Sequence, residues 1–130
     1  MVQKPIELIL MRQLASSLVM PVFLVDPSGT LVYYNEPAEE MLGVRFDETG
    51  EMPASEWTTR WKPSDADGAP LAPERLPLMV ALAECRPDHG ELWIQGGDGR
   101  RRHIQATGIP LVTVSDRLLG AVAIFWEEPS

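Results

Sequence analysis

Pro21-Val22-Phe23-Leu24-Val25-Asp26-Pro27-Ser28-Gly29-Thr30-Leu31-Val32-Tyr33-Tyr34-Asn35 is the stretch on which the fold turns. Residues 21–25 and 30–34 are rich in β-branched, aliphatic and aromatic types, which fit a pleated surface. Between them Asp26-Pro27-Ser28-Gly29 supplies turn chemistry, so the two runs read as an antiparallel hairpin. Asn35 suits the cap of a helix over about residues 36–42, and Gly43 suits its left-handed stop.

Upstream, residues 5–18 read as an amphipathic helix. Ile6, Ile9, Leu10, Leu14 and Leu18 recur at helical spacing, and Pro5 fits a first-turn position. Downstream, residues 45–73 are rich in Pro, Asp, Gly and Thr and read as loops with one short helix near 55–61. Residues 73–84 predict a longer helix with Leu76, Leu78, Met79, Val80 and Leu82 as its apolar supply. Pro77 lies in its first turn, where a missing N–H is tolerated. Three strands follow, at 91–95, 101–111 and 118–126. Gly96-Gly97-Asp98-Gly99 and Val114-Ser115-Asp116-Arg117 are their turns. Helices grouped between antiparallel hairpins predict an α+β fold built on one sheet.

A sheet with one wet face alternates apolar and polar residues. Val22-Phe23-Leu24-Val25 and Ala121-Val122-Ala123-Ile124-Phe125-Trp126 do not alternate, so both faces of those strands need cover. The central helices supply one cover. The N-terminal helix, a partner subunit, or both supply the other. A homodimer is expected on this ground.

The length of 130 residues fits one domain. The net charge of -8, from 19 acidic and 11 basic residues, disfavours nucleic acid and anionic membrane surfaces as partners. Cys85 is the single cysteine, so no internal disulfide or thiolate metal cluster can form, which suits a reducing compartment. Residues 1–18 are too short and too polar for a spanning helix and show no signal-peptide cleavage site. The cytoplasm is the expected location.

The run from Pro21 to Asn35 resembles the opening of PAS domains, in which a strand ends in Asp, a Gly turn follows, and a second strand ends in Asn. Pro37-Ala38-Glu39-Glu40-Met41-Leu42-Gly43 is similar to the next PAS helix. Leu76-Pro77-Leu78-Met79-Val80-Ala81-Leu82 resembles the long PAS helix of bacterial sensor kinases and phosphatases. Asp98-Gly99-Arg100-Arg101-Arg102-His103 is similar to the third-to-fourth strand hairpin, and residues 120–127 to the last strand. The resemblance covers residues 15 to 127. It implies a PAS-like five-stranded antiparallel sheet, order 2-1-5-4-3, with helices on one face, and a role in signal reception or protein–protein contact, usually as a dimer. The expected division is an N-terminal helix over 1–20, a PAS domain over 21–127 and a tail over 128–130.

Flavin-photosensing PAS domains carry Asn-Cys-Arg-Phe before the long helix, and this chain has no such motif. Haem PAS domains place an axial His on that helix, and residues 73–84 contain none. Haem and flavin are therefore disfavoured, and no cofactor is expected. Cys85 reads as a half-buried or surface thiol, and His89 and His103 as surface or hydrogen-bonded side chains. What remains is an apolar pocket. The family pattern puts Phe23, Val25, Leu31, Tyr33, Leu92, Ile94, Ile104, Ala106, Ala121, Ala123 and Phe125 on the helix side, facing Leu78, Met79 and Leu82. Small residues at Ala106, Gly108, Ala121 and Ala123 leave room for an apolar ligand such as a fatty acid, unless larger neighbours fill it. The opposite face presents Leu24, Trp93, Ile109, Val122, Ile124 and Trp126. With Ile6, Leu10, Leu14 and Leu18 they form the expected interface, unless the chain's own helix covers them.

Other motifs carry less. Gly96-Gly97-Asp98-Gly99 lacks the helix and Lys of a phosphate loop. Arg100-Arg101-Arg102 reads as solvated strand charge. Glu39-Glu40 and Glu127-Glu128 have no clustered His, so no metal site is expected. No Gly-x-Ser-x-Gly occurs, and neither His has a nucleophile partner. Trp57 and Trp61, at i and i+4, read as packing a loop onto the body. The sequence thus predicts a non-enzymatic, signal-sensing PAS domain that mediates homodimerisation and contact with a signalling partner, with an apolar ligand site open. A ligand-free adaptor module, or a fragment of a larger sensor kinase or phosphatase, is the alternative.

Overall fold

Asp26 closes the first hairpin. Its Oδ1 accepts hydrogen bonds from the Ser28 and Thr30 amides, each at 3.0 Å, and from the Ser28 hydroxyl at 2.6 Å. The computed structural model describes residues 6–128. The hairpin strands are β1 (Val22–Val25) and β2 (Leu31–Tyr34). Three further strands, β3 (Asp88–Gln95), β4 (Arg101–Val112) and β5 (Leu118–Glu127), complete an antiparallel sheet of order β2-β1-β5-β4-β3. The Phe125 amide donates to the Pro21 carbonyl at 3.1 Å, so chain entry into β1 lies beside the end of β5.

Five helices surround the sheet: α1 (Ile6–Ser16), α2 (Glu36–Leu42), α3 (Phe46–Thr49), α4 (Ala54–Arg60) and α5 (Pro77–Glu84). Pro5, assigned to the first helix from sequence, lies outside the described residues. The short α3 was read from sequence as loop. It forms because the Glu39 carboxylate accepts the Phe46 amide at 2.8 Å, while Phe46 buries against Tyr33 and Tyr34. α5 starts at Pro77 rather than 73; Pro73–Arg75 make a single 3-10 turn.

Asn35 is fully buried and joins three elements. Its Oδ1 caps α2 through the Ala38 amide at 3.2 Å and accepts the Val22 amide at 3.0 Å. Its Nδ2 donates to the carbonyls of Ala15 and Met20, each at 2.9 Å, and more weakly to Leu18 at 3.4 Å. α2 ends at Gly43, φ +78, where the helix stop meets the β3–β4 turn. The Gly97 amide donates to the Leu42 carbonyl at 2.8 Å, and a Cβ on Gly97 would sit 2.7 Å from the Gly43 carbonyl oxygen. The glycine-rich turn therefore serves close backbone approach.

α5 ends at Cys85, which holds φ +54 as a left-handed cap with an exposed side chain. Glycine occupies such positions without the steric cost a Cβ imposes. Cys85→Gly is expected to raise stability by about 0.5–1 kcal/mol, checked by urea denaturation.

Two apolar clusters lie on opposite faces of the sheet. The larger unites Phe23, Val25, Leu31, Tyr34 and the inner residues of β3–β5 with α2, α4 and α5. The smaller joins Ala15 of α1 to Val22, Leu24, Val32 and Val122. The unalternating strands are thus covered on both sides, as their composition demanded.

Candidate functional site

Phe23, on the helix side of β1, forms the floor of an aromatic box. Tyr34 stacks beside it with ring centroids 5.9 Å apart, and Trp57 and Trp61 meet it edge-on at 5.1 and 6.0 Å. Each indole N–H is satisfied by backbone: Trp57 donates to the Gly29 carbonyl at 2.8 Å, and Trp61 to that of Leu42 at 3.0 Å. The i, i+4 tryptophans do pack the loop onto the body. They also wall a cavity. Tyr34 donates to the Val44 carbonyl at 2.9 Å, and burial raises its phenol pKa above the ordinary tyrosine value.

The cavity has a volume of about 90 Å³. Phe23, Leu78, Leu92, Ile94, Ile104, Ala106, Ala123 and Phe125, all expected from sequence, line it. Leu42, Trp57, Thr58, Trp61, Pro63, Leu76 and Pro77 complete the wall. Six expected residues lie elsewhere. Val25, Leu31 and Ala121 are buried in the same core but away from the cavity. Met79 and Leu82 reach instead over the first hairpin turn, within 4 Å of where a Cβ on Gly29 would stand. Tyr33, on the edge strand, takes the α1 face opposite Leu24, although its ring also meets Phe46 of the helix-side core. The β1–β2 register shifts between Leu24 and Val25, so Leu31 opposes Val25 while Tyr33 opposes Leu24 and Tyr34 opposes Phe23. That bulge moves every residue after it to the other face.

Of the two readings of the small residues on β4 and β5, room for a ligand or space filled by neighbours, Gly108 takes the second. A Cβ on Gly108 would stand 2.5 Å from the Pro77 carbonyl oxygen and 2.9 Å from the Leu78 Cα. The first turn of α5 lies directly on the strand and takes the space that the missing side chain vacates. The remaining volume corresponds to about three water molecules, against roughly 300 Å³ or more for a typical ligand pocket.

The interface residues expected from sequence divide into three groups. Leu24 and Val122 are buried beneath α1 and do not reach the surface, a correction that follows from Ala15 and Met11 packing over them. Ile6, Leu10 and Leu14 point outward, 68%, 58% and 55% exposed, and Leu18, Val19 and Met20 extend the exposed stretch. Trp93, Ile109, Ile124 and Trp126 are half-buried on the outer sheet face. There Trp93 stacks on His103 at 4.2 Å, His103 Nε2 meets the Glu91 carboxylate at 3.0 Å, and His89 bridges Thr107 and Gln105.

Of the three consecutive arginines, Arg102 departs from the solvated reading. It is buried, grips the Asp98 carboxylate at 3.0 and 3.2 Å, and approaches Glu127 at 3.6 Å. The hydrogen bonds from Arg102 and the Arg100 amide lower the Asp98 pKa below the usual aspartate value. No group of metal-binding side chains occurs among the described residues, and no described helix is long and apolar enough to cross a membrane.

The family described as PAS domain matches residues 19–127. No curated protein matches the chain in sequence. Among solved structures, the chain is similar to the PAS domain of a Colwellia psychrerythraea protein, at 15% identity and a TM-score of 0.66, over 94% of this chain and 97% of that one. It is also similar to the PAS domain of Bordetella pertussis BvgS, at 17% identity, TM-score 0.61, over 95% and 87% of the two chains. The LOV domain of the Erythrobacter litoralis EL346 blue-light activated histidine kinase matches at 19% identity, TM-score 0.66, over 87% and 99%.

Proposed function

This chain belongs to the PAS domain family, and from that premise we propose that it is a cytoplasmic, non-enzymatic signal-relay module that pairs with a second copy of itself through α1. The observation that carries the reading is the outward apolar stripe. Ile6, Leu10 and Leu14 recur every fourth residue and so line one side of the helix, and all three are more than half exposed. A two-fold pairing places this stripe against its own copy, which satisfies both at once. Asn35 ties the end of α1 to β1 and α2. A change of packing in the core would therefore reach the paired helices directly. The small cavity supports a relay with no haem or flavin in its core.

The test is sedimentation velocity on the intact chain and on a Leu10→Asp, Leu14→Asp variant. The parent is expected to be a dimer, and the variant a monomer with an unchanged circular dichroism spectrum. The dissociation constant should rise at least about a hundredfold, since each charge is buried twice in a two-fold interface. A parent that stays monomeric at high concentration, or a variant that pairs as well as the parent, overturns the reading.

A further inference from the structure

A second hollow lies beside the cavity, between the loop after α4 and the end of β3. It holds about 420 Å³ and shares Thr58, Pro63 and Ile94 with the cavity wall. Its size falls in the range of small-molecule sites. Its rim is cationic although the chain is acidic: Lys62 and Arg101 both line it, as does Gln95. Among the described residues, Lys62 has no carboxylate partner. Arg101 bonds only neutral groups, the Asp65 carbonyl at 2.7 Å and the Ser64 hydroxyl at 3.4 Å. The nearby Asp65 carboxylate is turned to its own loop, accepting the Asp67 and Ala69 amides at 2.9 and 3.0 Å. Two cations and an amide thus line one groove, which shares Thr58, Pro63 and Ile94 with the aromatic, apolar cavity.

We infer that this groove binds a small amphiphilic carboxylate, with its anionic head at Lys62 and Arg101 and its short apolar tail against Thr58, Pro63 and Ile94. The charge fixes orientation, since a guanidinium and an ammonium both donate strongly to a carboxylate. The shared wall sets the tail, which is limited to a few carbons by the volume behind it. The site is independent of pairing through α1.

The probe is sodium hexanoate, titrated into the intact chain and followed by backbone amide shifts and tryptophan fluorescence. Saturable binding is expected with a dissociation constant on the order of a millimolar, with shifts at Lys62, Ser64, Ile94 and Gln95. Lys62→Gln, on an unchanged melting curve, should weaken binding about threefold to tenfold. 1-Hexanol should bind weaker than hexanoate by a similar factor. If hexanol binds as well as hexanoate, the charge does nothing and the inference fails. If inorganic phosphate binds as well as hexanoate with the same shifts, the rim is a cationic patch only and the inference fails. Absence of saturable hexanoate binding also overturns it. None of these results bears on the oligomeric state.

Discussion

Asn35→Ala is expected to destabilise the chain by about 4 kcal/mol, the largest effect of any single polar truncation. The side chain is fully buried, and its amide meets five backbone groups. Alanine leaves the amides of Val22 and Ala38 without their acceptor and removes the donor from Ala15 and Met20. Each buried group so orphaned costs on the order of 1–3 kcal/mol. Asn35→Asp separates the two halves of the role. Its carboxylate still accepts from Val22 and Ala38, but it now faces carbonyl oxygens where the donor stood. Chemical denaturation measures the sum, and hydrogen exchange at residues 14–20 reads the release of α1 alone. Loss of less than about 1 kcal/mol for the alanine variant, the size of an ordinary exposed cap, would show that the knot does not hold these elements.

Gly108→Ala is expected to cost about 3 kcal/mol, although it adds a single methyl group. The new Cβ would collide with the Pro77 carbonyl and the Leu78 Cα, which are backbone atoms of α5 and cannot rotate away. Either the helix lifts or the strand bends, and overpacking of this kind costs roughly 1–3 kcal/mol or more. Gly90→Ala is the control. It lies under the same proline, but its Cβ would stand 3.6 Å from the Pro77 Cγ, ordinary van der Waals contact. It should change stability by less than about 0.5 kcal/mol. Thermal melts of the two variants decide the matter: equal effects would mean that α5 does not rest on β4 at Gly108.

These two sites mark how far sequence reading reached. Asn35 was legible because a cap residue between a strand and a helix has one local role, and local roles follow from neighbouring residue types. Its bonds to Ala15 and Met20 were not, since they depend on where α1 docks. At Gly108 the sequence left open whether the space is vacant or filled, because alternation along a strand says which face a residue takes and nothing about what lies above it. The hairpins were legible from turn residues and apolar runs, whereas the strand order came from the resemblance to PAS domains. Tyr33 was misplaced because counting by twos assumes an unbroken ladder, and one bulge between Leu24 and Val25 reverses the count. Trp57 and Trp61 were legible as packing residues through their spacing. Lys62 and Arg101 gave no signal, since they are 39 positions apart in sequence and meet only across the groove.

The hydrogen bond between Phe125 and Pro21 has a consequence for building with this domain. Where the chain enters the sheet and where it leaves it are neighbours on adjacent strands, about 5 Å apart. A host protein could receive the domain there only with α1 kept on the entry side, because α1 covers Leu24 and Val122 and meets Asn35. The chain on either side of the sheet would then emerge from one pole.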